Sequence, residues 1–313
     1  MKQRLMRALK ASIRRSVRGS LLSFGGGFGG IGDDLLCTTV ARELYRRQGR
    51  RIWIISSYRE LFQGNRDVYG VVAPNSRGAF WLPKLVGCGQ CHDLHYERHD
   101  KRSDTGIAPR EHILATMCRQ VFIRGPILLR PYAYVSQKAA TQGRRFRGWI
   151  AIQSSGLGAR GRMLNKEWRP ERFSEAALGL MKRHKVVQIG AVTDPAIPCD
   201  LDLRGKTSLR ELALTLANCR LFVGLVGFPM HLARAVDCPA VIVYGGRELP
   251  HQSGYMCNVN LFSQLPCTPC WQWNRCEFDR SCMTGIGVAA VLQGVAALLD
   301  RPRDVLAVDQ AIL

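Results

Sequence analysis

Gly27, Gly29 and Gly32 spell G-x-G-x-x-G inside the stretch FGGGFGGIGDDLLCTTV (Phe24–Val40), and Asp33 and Asp34 follow at once. Glycines at this spacing let a backbone close on a pyrophosphate at the start of a helix. Two carboxylates at the same point oppose that use, because they would repel the phosphate from the first-turn amides. The strand that should end in a ribose-binding acid ends instead in Ser56-Ser57-Tyr58, with Glu60 beyond it. The loop is therefore not expected to hold NAD or FAD. Its aspartates have two readings. One is a helix N-cap, which stabilises by about 1 kcal/mol. The other is a general base at the mouth of a cleft. Capping suffices for one of them, and composition does not choose.

Two cysteine groups also have spacings with chemistry in them. Cys267-x2-Cys270-x5-Cys276-x5-Cys282 lies near the C-terminus, and Cys88-x2-Cys91-His92-x2-His95, with His99 beyond, lies in the first third. Zinc takes four N or S ligands, often with one close C-x2-C pair. The spacings between pairs are shorter than in most finger and ribbon sites, so packed, reduced thiols are the other reading. No secretory signal accompanies the 12 cysteines, so a disulfide framework is not expected.

The chain that must position these groups is 313 residues long, enough for one large domain or two of about 150 residues. With 46% hydrophobic and 22% charged residues it is expected to be globular. No apolar run approaches the roughly 20 residues that cross a bilayer, so a soluble or peripheral protein is expected. The net charge of +21 asks for an anionic partner. Lys2, Arg4, Arg7, Lys10, Arg14, Arg15 and Arg18 are interleaved with Leu5, Met6, Leu9, Ile13 and Val17, with no acid among them. That pattern reads as a basic amphipathic helix suited to an anionic membrane surface. A mitochondrial presequence would share it, and so would a solvated tail. A signal peptide fits poorly, for want of an apolar core segment. No RRM, KH, helix-turn-helix or finger signature accompanies the charge, so nucleic acid is not expected as the partner.

Strand and helix signals alternate along the rest of the chain. Ser20–Phe24, Arg51–Ser57 and Val68–Val72 read as strands around a helix over Asp34–Arg47. Val86–Asp104 reads as a polar, His/Cys-rich loop, and a helix follows around Arg110–Val121. After the basic stretch Thr141–Gly148 a second series begins: strands at Trp149–Gln153, Val186–Ile189, Leu221–Val223 and Ala240–Tyr244, and helices at Pro170–His184, Ser208–Cys219, Pro229–Val236 and Gly287–Leu299. Ser208-x-x-Glu211 is a capping box. This grammar predicts two α/β halves with parallel sheets and a ligand cleft between them.

Three separated blocks and the tail carry a family resemblance. GDDLLCTTVARELYRR (Gly32–Arg47), NKEWRPERFSEAA (Asn165–Ala177), the long block Asp202–Gly246, and CTPCWQWNRCEFDRSCMTGI (Cys267–Ile286) are similar to the bacterial heptosyltransferases of glycosyltransferase family nine. The resemblance covers most of the chain from about Ser20, with a poorly matched middle. It implies a GT-B fold: two Rossmann-like domains with parallel sheets facing across a cleft. The basic segment would occupy 1–19, an acceptor-binding domain 20–145, and a nucleotide-sugar-binding domain 146–313. It implies an inverting, metal-independent displacement at the anomeric carbon, with no cofactor required and the tail cysteines as candidates for a structural zinc.

The site residues follow position by position from that resemblance. Asp33 matches the family's proposed base, and Gly29, Gly30 and Gly32 form the acceptor loop. Asp34 falls where the family is usually apolar, which makes it the better candidate for the cap. On the donor side Pro229 suits the first helical position, and the amides around Gly227, Phe228, Met230 and His231 would face the diphosphate. His231 and Lys166 match the family's phosphate contacts, and Ser154 and Ser155 sit where hydroxyls reach phosphate. The family usually has Asn-Asp-Ser-Gly before Pro-Met-His, whereas this chain has Leu225, Val226, Gly227 and Phe228. The implied protein is a cytoplasmic enzyme, peripheral on the cytoplasmic face of the inner membrane. It would move heptose or another hexose or deoxysugar from a nucleotide diphosphate to an anionic or lipid-linked lipopolysaccharide or surface-polysaccharide acceptor. The other reading is a catalytically degenerate GT-B protein that binds glycan or nucleotide.

Overall fold

The computed structural model describes residues 20–49, 51–76, 91–100, 102–135, 143–301 and 310–312. The basic segment 1–19 and Cys88 lie outside the described residues.

The first half builds a four-stranded parallel sheet in the order β3-β2-β1-β4. Its strands are β1 (Leu21–Phe24), β2 (Ile52–Ile55), β3 (Val68–Val72) and β4 (Cys91–Leu94). Helix α1 (Ile31–Gln48) links β1 to β2 and ends at Gly49, whose left-handed φ of 66° closes the last turn. The expected polar loop is thus corrected in part. Cys91–Leu94 pairs with β1 as a fourth strand, and Arg98–Asp100 (β5) with Thr105–Ile107 (β6) forms an antiparallel hairpin. β4 has only one fully buried side chain, Leu94, so neither alternation nor a continuous apolar run marks it in the sequence. Helix α2 (Ile113–Gln120) and β7 (Pro126–Leu128) complete this half, and β14 (Gln310–Ile312) pairs antiparallel with β7.

The second half builds a six-stranded sheet from β8 (Ile150–Gln153), β9 (Val186–Ile189), β10 (Leu201–Asp202), β11 (Leu221–Leu225), β12 (Ala240–Gly245) and β13 (Val259–Phe262). Every neighbouring pair is parallel, in the order β10-β9-β8-β11-β12-β13. Counted from β8 this is the 3-2-1-4-5-6 order of a dinucleotide-type fold, in which ligands sit beyond the strand ends where the order reverses. The reversal falls between β8 and β11. All residues of β8, β9, β11 and β12 are buried, as a sheet covered on both faces requires. Its helices are α3 (Pro170–Met181), α4 (Leu209–Asn218), α5 (Phe228–Ala235), the short α6 (Pro250–Ser253) and α7 (Ser281–Thr284), and α8 (Val288–Leu299). Ser208 caps α4 and Glu211 returns the bond to its amide, as the capping box predicts.

The halves share a core. One buried cluster runs from Leu35, Leu36 and Val40 of α1 to Met230 and Leu232 of α5 and Leu216 of α4. A second, under α3 and α8, belongs to the six-stranded sheet alone. Helix against helix across the halves, α1 on α5, is the contact that brings the two reversal points together.

Candidate active site

The glycine loop turns tightly after β1. Gly25, Gly26 and Gly27 have φ of 53°, 66° and 87°, and a Cβ on Gly27 would lie 2.6 Å from Ile55 Cγ2. Its amides meet carboxylates. Asp93 Oδ1, on β4, accepts from Gly26 N at 2.8 Å and from Ser23 Oγ at 2.7 Å. Asp33 Oδ2 accepts from Gly30 N at 2.8 Å.

The aspartates divide their roles differently from the expectation that Asp34 is the cap. Helix α1 begins two residues before Asp33, so Asp33 is the third helical residue and its side chain folds back on the N-cap amide of Gly30. Its other oxygen, Oδ1, accepts from the Tyr96 hydroxyl at 2.6 Å. Burial raises its pKa above the ordinary value; the bonds from Tyr96 and Gly30 act against that rise. Asp34 points into the protein, 1% exposed, and accepts from Ser56 Oγ, while its Oδ1 has no hydrogen-bond partner. Burial pushes its pKa to about 7 despite the Ser56 bond. Asp33 therefore supplies the terminus bond and meets Tyr96, and Asp34 is an interior acid.

The second reversal point presents the N-terminus of α5. Gly227 is its N-cap, and Pro229 is its second residue rather than its first. Helix geometry leaves the Phe228 and Met230 amides without an intrahelical acceptor, whereas His231 N already bonds Gly227 O at 3.2 Å. Met230 and Val226 are buried in the shared core. His231 is 6% exposed, with Nδ1 2.7 Å from the Tyr255 hydroxyl, and burial lowers its pKa to about 3. The ring is thus neutral, and donates from one nitrogen only.

Lys166 ends a short turn (Leu164–Lys166) whose middle residue, Asn165, is tied to the tail through Gln272 O and Arg275 O. Its ammonium pairs with the buried Glu248. Burial alone would raise the Glu248 pKa, but the Lys166 and Arg247 charges outweigh it and hold the carboxyl at about 2. Arg247, 2% exposed and lying 4.6 Å over the Trp271 ring, bonds Glu248 at 3.1 Å and Glu97 of the first half at 2.8 Å.

Ser154 and Ser155 lie beyond β8 at the reversal point but bond inward. Ser154 Oγ donates to Pro195 O and accepts from Gln188 Nε2, and Ser155 Oγ donates to Glu167 at 2.9 Å. The sequence reading assigns Asp33, Lys166 and the α5 terminus to one site; in the structure a Cβ on Gly32 would sit 3.5 Å from Phe228 Cα, and the Lys166 charge acts on Asp33. That reading missed Tyr96, Glu97, Arg247, Glu248 and Tyr255. An Arg-Glu pair just beyond β12, at a strand's carboxyl end, was the available signal for two of these.

The tail ties the first half to the Lys166 turn. Asp104, at the end of the β5–β6 turn, accepts from the amides of Trp273 (2.8 Å), Asn274 (2.8 Å) and Arg275 (2.6 Å). His99 bonds Asp104 at 2.9 Å and stacks on Trp273 with centroids 4.4 Å apart. Cys267, Cys270, Cys276 and Cys282 are free thiols that influence one another electrostatically. Among the described residues, no three His, Cys, Asp or Glu side chains are placed to hold a metal ion.

Two Rossmann-like sheets whose reversal points face each other define a GT-B fold. Residues 150–278 match the model of glycosyltransferase family 9 (heptosyltransferase). Solved structures resemble the chain over 90% of its length. They include a family 9 glycosyl transferase from Veillonella parvula DSM 2008 (14% identity, 97% of that chain covered, TM-score 0.65). The ADP-heptose lipopolysaccharide heptosyltransferase II of E. coli is another (16%, 98%, 0.64). A third is the dodecameric iron-containing heptosyltransferase TibC in complex with ADP-D-beta-D-heptose (17%, 76%, 0.66). No curated protein sequence matches the chain.

Proposed function

We propose that the protein transfers a sugar, with inversion, from a nucleoside diphosphate to a glycan hydroxyl. The observation that carries this reading is the meeting of Asp33 with the α5 terminus across the Gly32–Phe228 contact. A carboxylate on one side and first-turn amides without an intrahelical acceptor on the other can address the two ends of a single displacement. The acceptor oxygen attacks the anomeric carbon as Asp33 takes its proton, and the bond from that carbon to the diphosphate oxygen breaks. The leaving charge falls on the α5 amides and on Lys166, whose three N–H bonds can serve both Glu248 and a phosphate. The displacement so written requires no metal.

The ADP-heptose complex of TibC supports a nucleotide sugar as donor. Val226, in place of the family's acid, changes the surroundings of the sugar, so other hexoses and deoxysugars remain candidates. A thermal-shift screen with ADP-, GDP-, UDP- and CMP-sugars identifies the donor. In Asp33→Asn, turnover should collapse while donor binding survives; unchanged turnover would remove Asp33 from its role and favour a binding module. The acceptor we assign is an anionic or lipid-linked surface glycan met at the inner membrane. No helix among the described residues is long and apolar enough to cross a membrane. Attachment is assigned instead to the basic segment. Deleting residues 1–18 should release the folded protein from anionic vesicles, and continued binding would refute that assignment.

A further inference from the structure

The middle of the chain, where the family resemblance is poor, supplies the only side-chain hydroxyl bonded to Asp33 among the described residues. We propose that Tyr96 is a positioning residue for Asp33, presented to it by the ion pair that Glu97 makes with Arg247 of the other half. The inference rests on the reading of Asp33 as the base.

The geometry gives each carboxylate oxygen one fixed donor. Gly30 N holds Oδ2 at 2.8 Å and the Tyr96 hydroxyl holds Oδ1 at 2.6 Å. A carboxylate held at both oxygens cannot rotate, and each oxygen keeps a lone pair for an incoming proton. Tyr96 is in turn located by its ring, 5.3 Å from that of Phe24 at the end of β1. The next residue, Glu97, reaches the opposite half and bonds Arg247 at 2.8 Å. Arg247 is itself fixed by Glu248 and by the face of Trp271, and Glu248 holds Lys166. The chain Glu97–Arg247–Glu248–Lys166 alternates in sign and sums to zero. A position on the donor side is therefore passed, bond by bond, to the hydroxyl that orients the base.

Several charged and titratable groups lie around Asp33. On its own helix are Asp34 and Cys37, and from the loop after β4 come Tyr96 and Glu97. From the second half Lys166 acts on Asp33 and Glu248 on Tyr96, and Arg160 reaches the glycine loop through Phe28 O and acts on Asp34. Of these, the Tyr96 bond lowers the Asp33 pKa and the Glu97 charge raises it. Replacing each should move the titration in opposite directions, a signature that loss of packing does not produce.

The test is a carbon-13 NMR titration of Asp33 in the full chain, assigned with Asp33→Asn, beside the rate of ADP release from ADP-heptose. Tyr96→Phe should raise the Asp33 midpoint and slow ADP release about tenfold or more, with KM for ADP-heptose changed less than about twofold. Glu97→Gln should lower the midpoint. An Asp33 midpoint unmoved in Tyr96→Phe, or a rate loss carried by KM, overturns the proposal. Full turnover in Asp33→Asn would instead overturn the base assignment and leave the Tyr96 titration result standing.

Discussion

Lys166 is paired with Glu248, so the cation assigned to the departing diphosphate is already neutralised inside the protein. Glu248 is 3% exposed and shared with Arg247, and a buried pair of this kind costs several kcal/mol when one member is removed. The pairing therefore works against phosphate while holding the lysine in place. In calorimetry with ADP, Lys166→Ala should weaken binding about tenfold or more, the loss of one charge-assisted contact. His231→Ala should act in the same direction. Glu248→Gln should tighten ADP severalfold and lower the melting temperature. Unchanged ADP affinity in both Lys166→Ala and His231→Ala would remove these residues from the donor site.

Much of the fold was legible because it is written in local chemistry. Parallel strands buried on both faces read as continuous apolar runs, and β12 begins where the sequence places it, at Ala240. The Ser208–Glu211 box marks the start of α4 to the residue. The site was legible only where an element terminus carries it, as at Asp33 and the α5 N-terminus. Tyr96 and Glu97 gave no signal, because an ion pair spanning 150 positions, from Glu97 to Arg247, has no period and no spacing. The exchange between Asp33 and Asp34 has a physical cause as well. Beginning the helix at Ile31 rather than Asp34 turns the first acid back onto Gly30 and the second toward Ser56.

Asp34 gives the protein an unusual pH dependence. Its carboxyl titrates at about 7 when folded, against an ordinary 3.8, so the folded state holds the proton more tightly than the unfolded chain. The stability it contributes is full below about pH 4 and is lost as pH rises through 7. His231 and His112 act in the other sense: with folded values of about 3 and about 4, they are stabilising above pH 6.5 and lose that contribution as pH falls. Asp34→Asn removes only the first effect. Denaturant melts should show it more stable than the wild type at pH 8, by on the order of 3 kcal/mol, and close to it at pH 4. Equal stability at pH 8 would mean that Asp34 is not a buried charge there.

Asp104 offers the strongest test of how the tail is held. Its left-handed backbone, φ 54°, is a conformation that Asp and Asn tolerate better than most residues, and it aims the carboxylate at three consecutive amides. Burial opposes the charge, yet those amides and His99 together hold the pKa at about 2. The contribution is present above pH 3.8 and disappears as pH falls toward 2. Asp104→Ala leaves the amides of Trp273, Asn274 and Arg275 without their acceptor and should cost about 2–4 kcal/mol. Asp104→Asn keeps the turn and one acceptor oxygen, and should cost less. Hydrogen exchange reads the site directly: protection at residues 273–275 should fall in Asp104→Ala while the amides of β8 and β11 keep theirs. Because Asn165 joins this tail to the Lys166 turn, ADP binding should weaken in the same variant. Unchanged exchange at 273–275 would show that the carboxylate does not hold the tail, and the link from the β5–β6 hairpin to the donor side would fall with it.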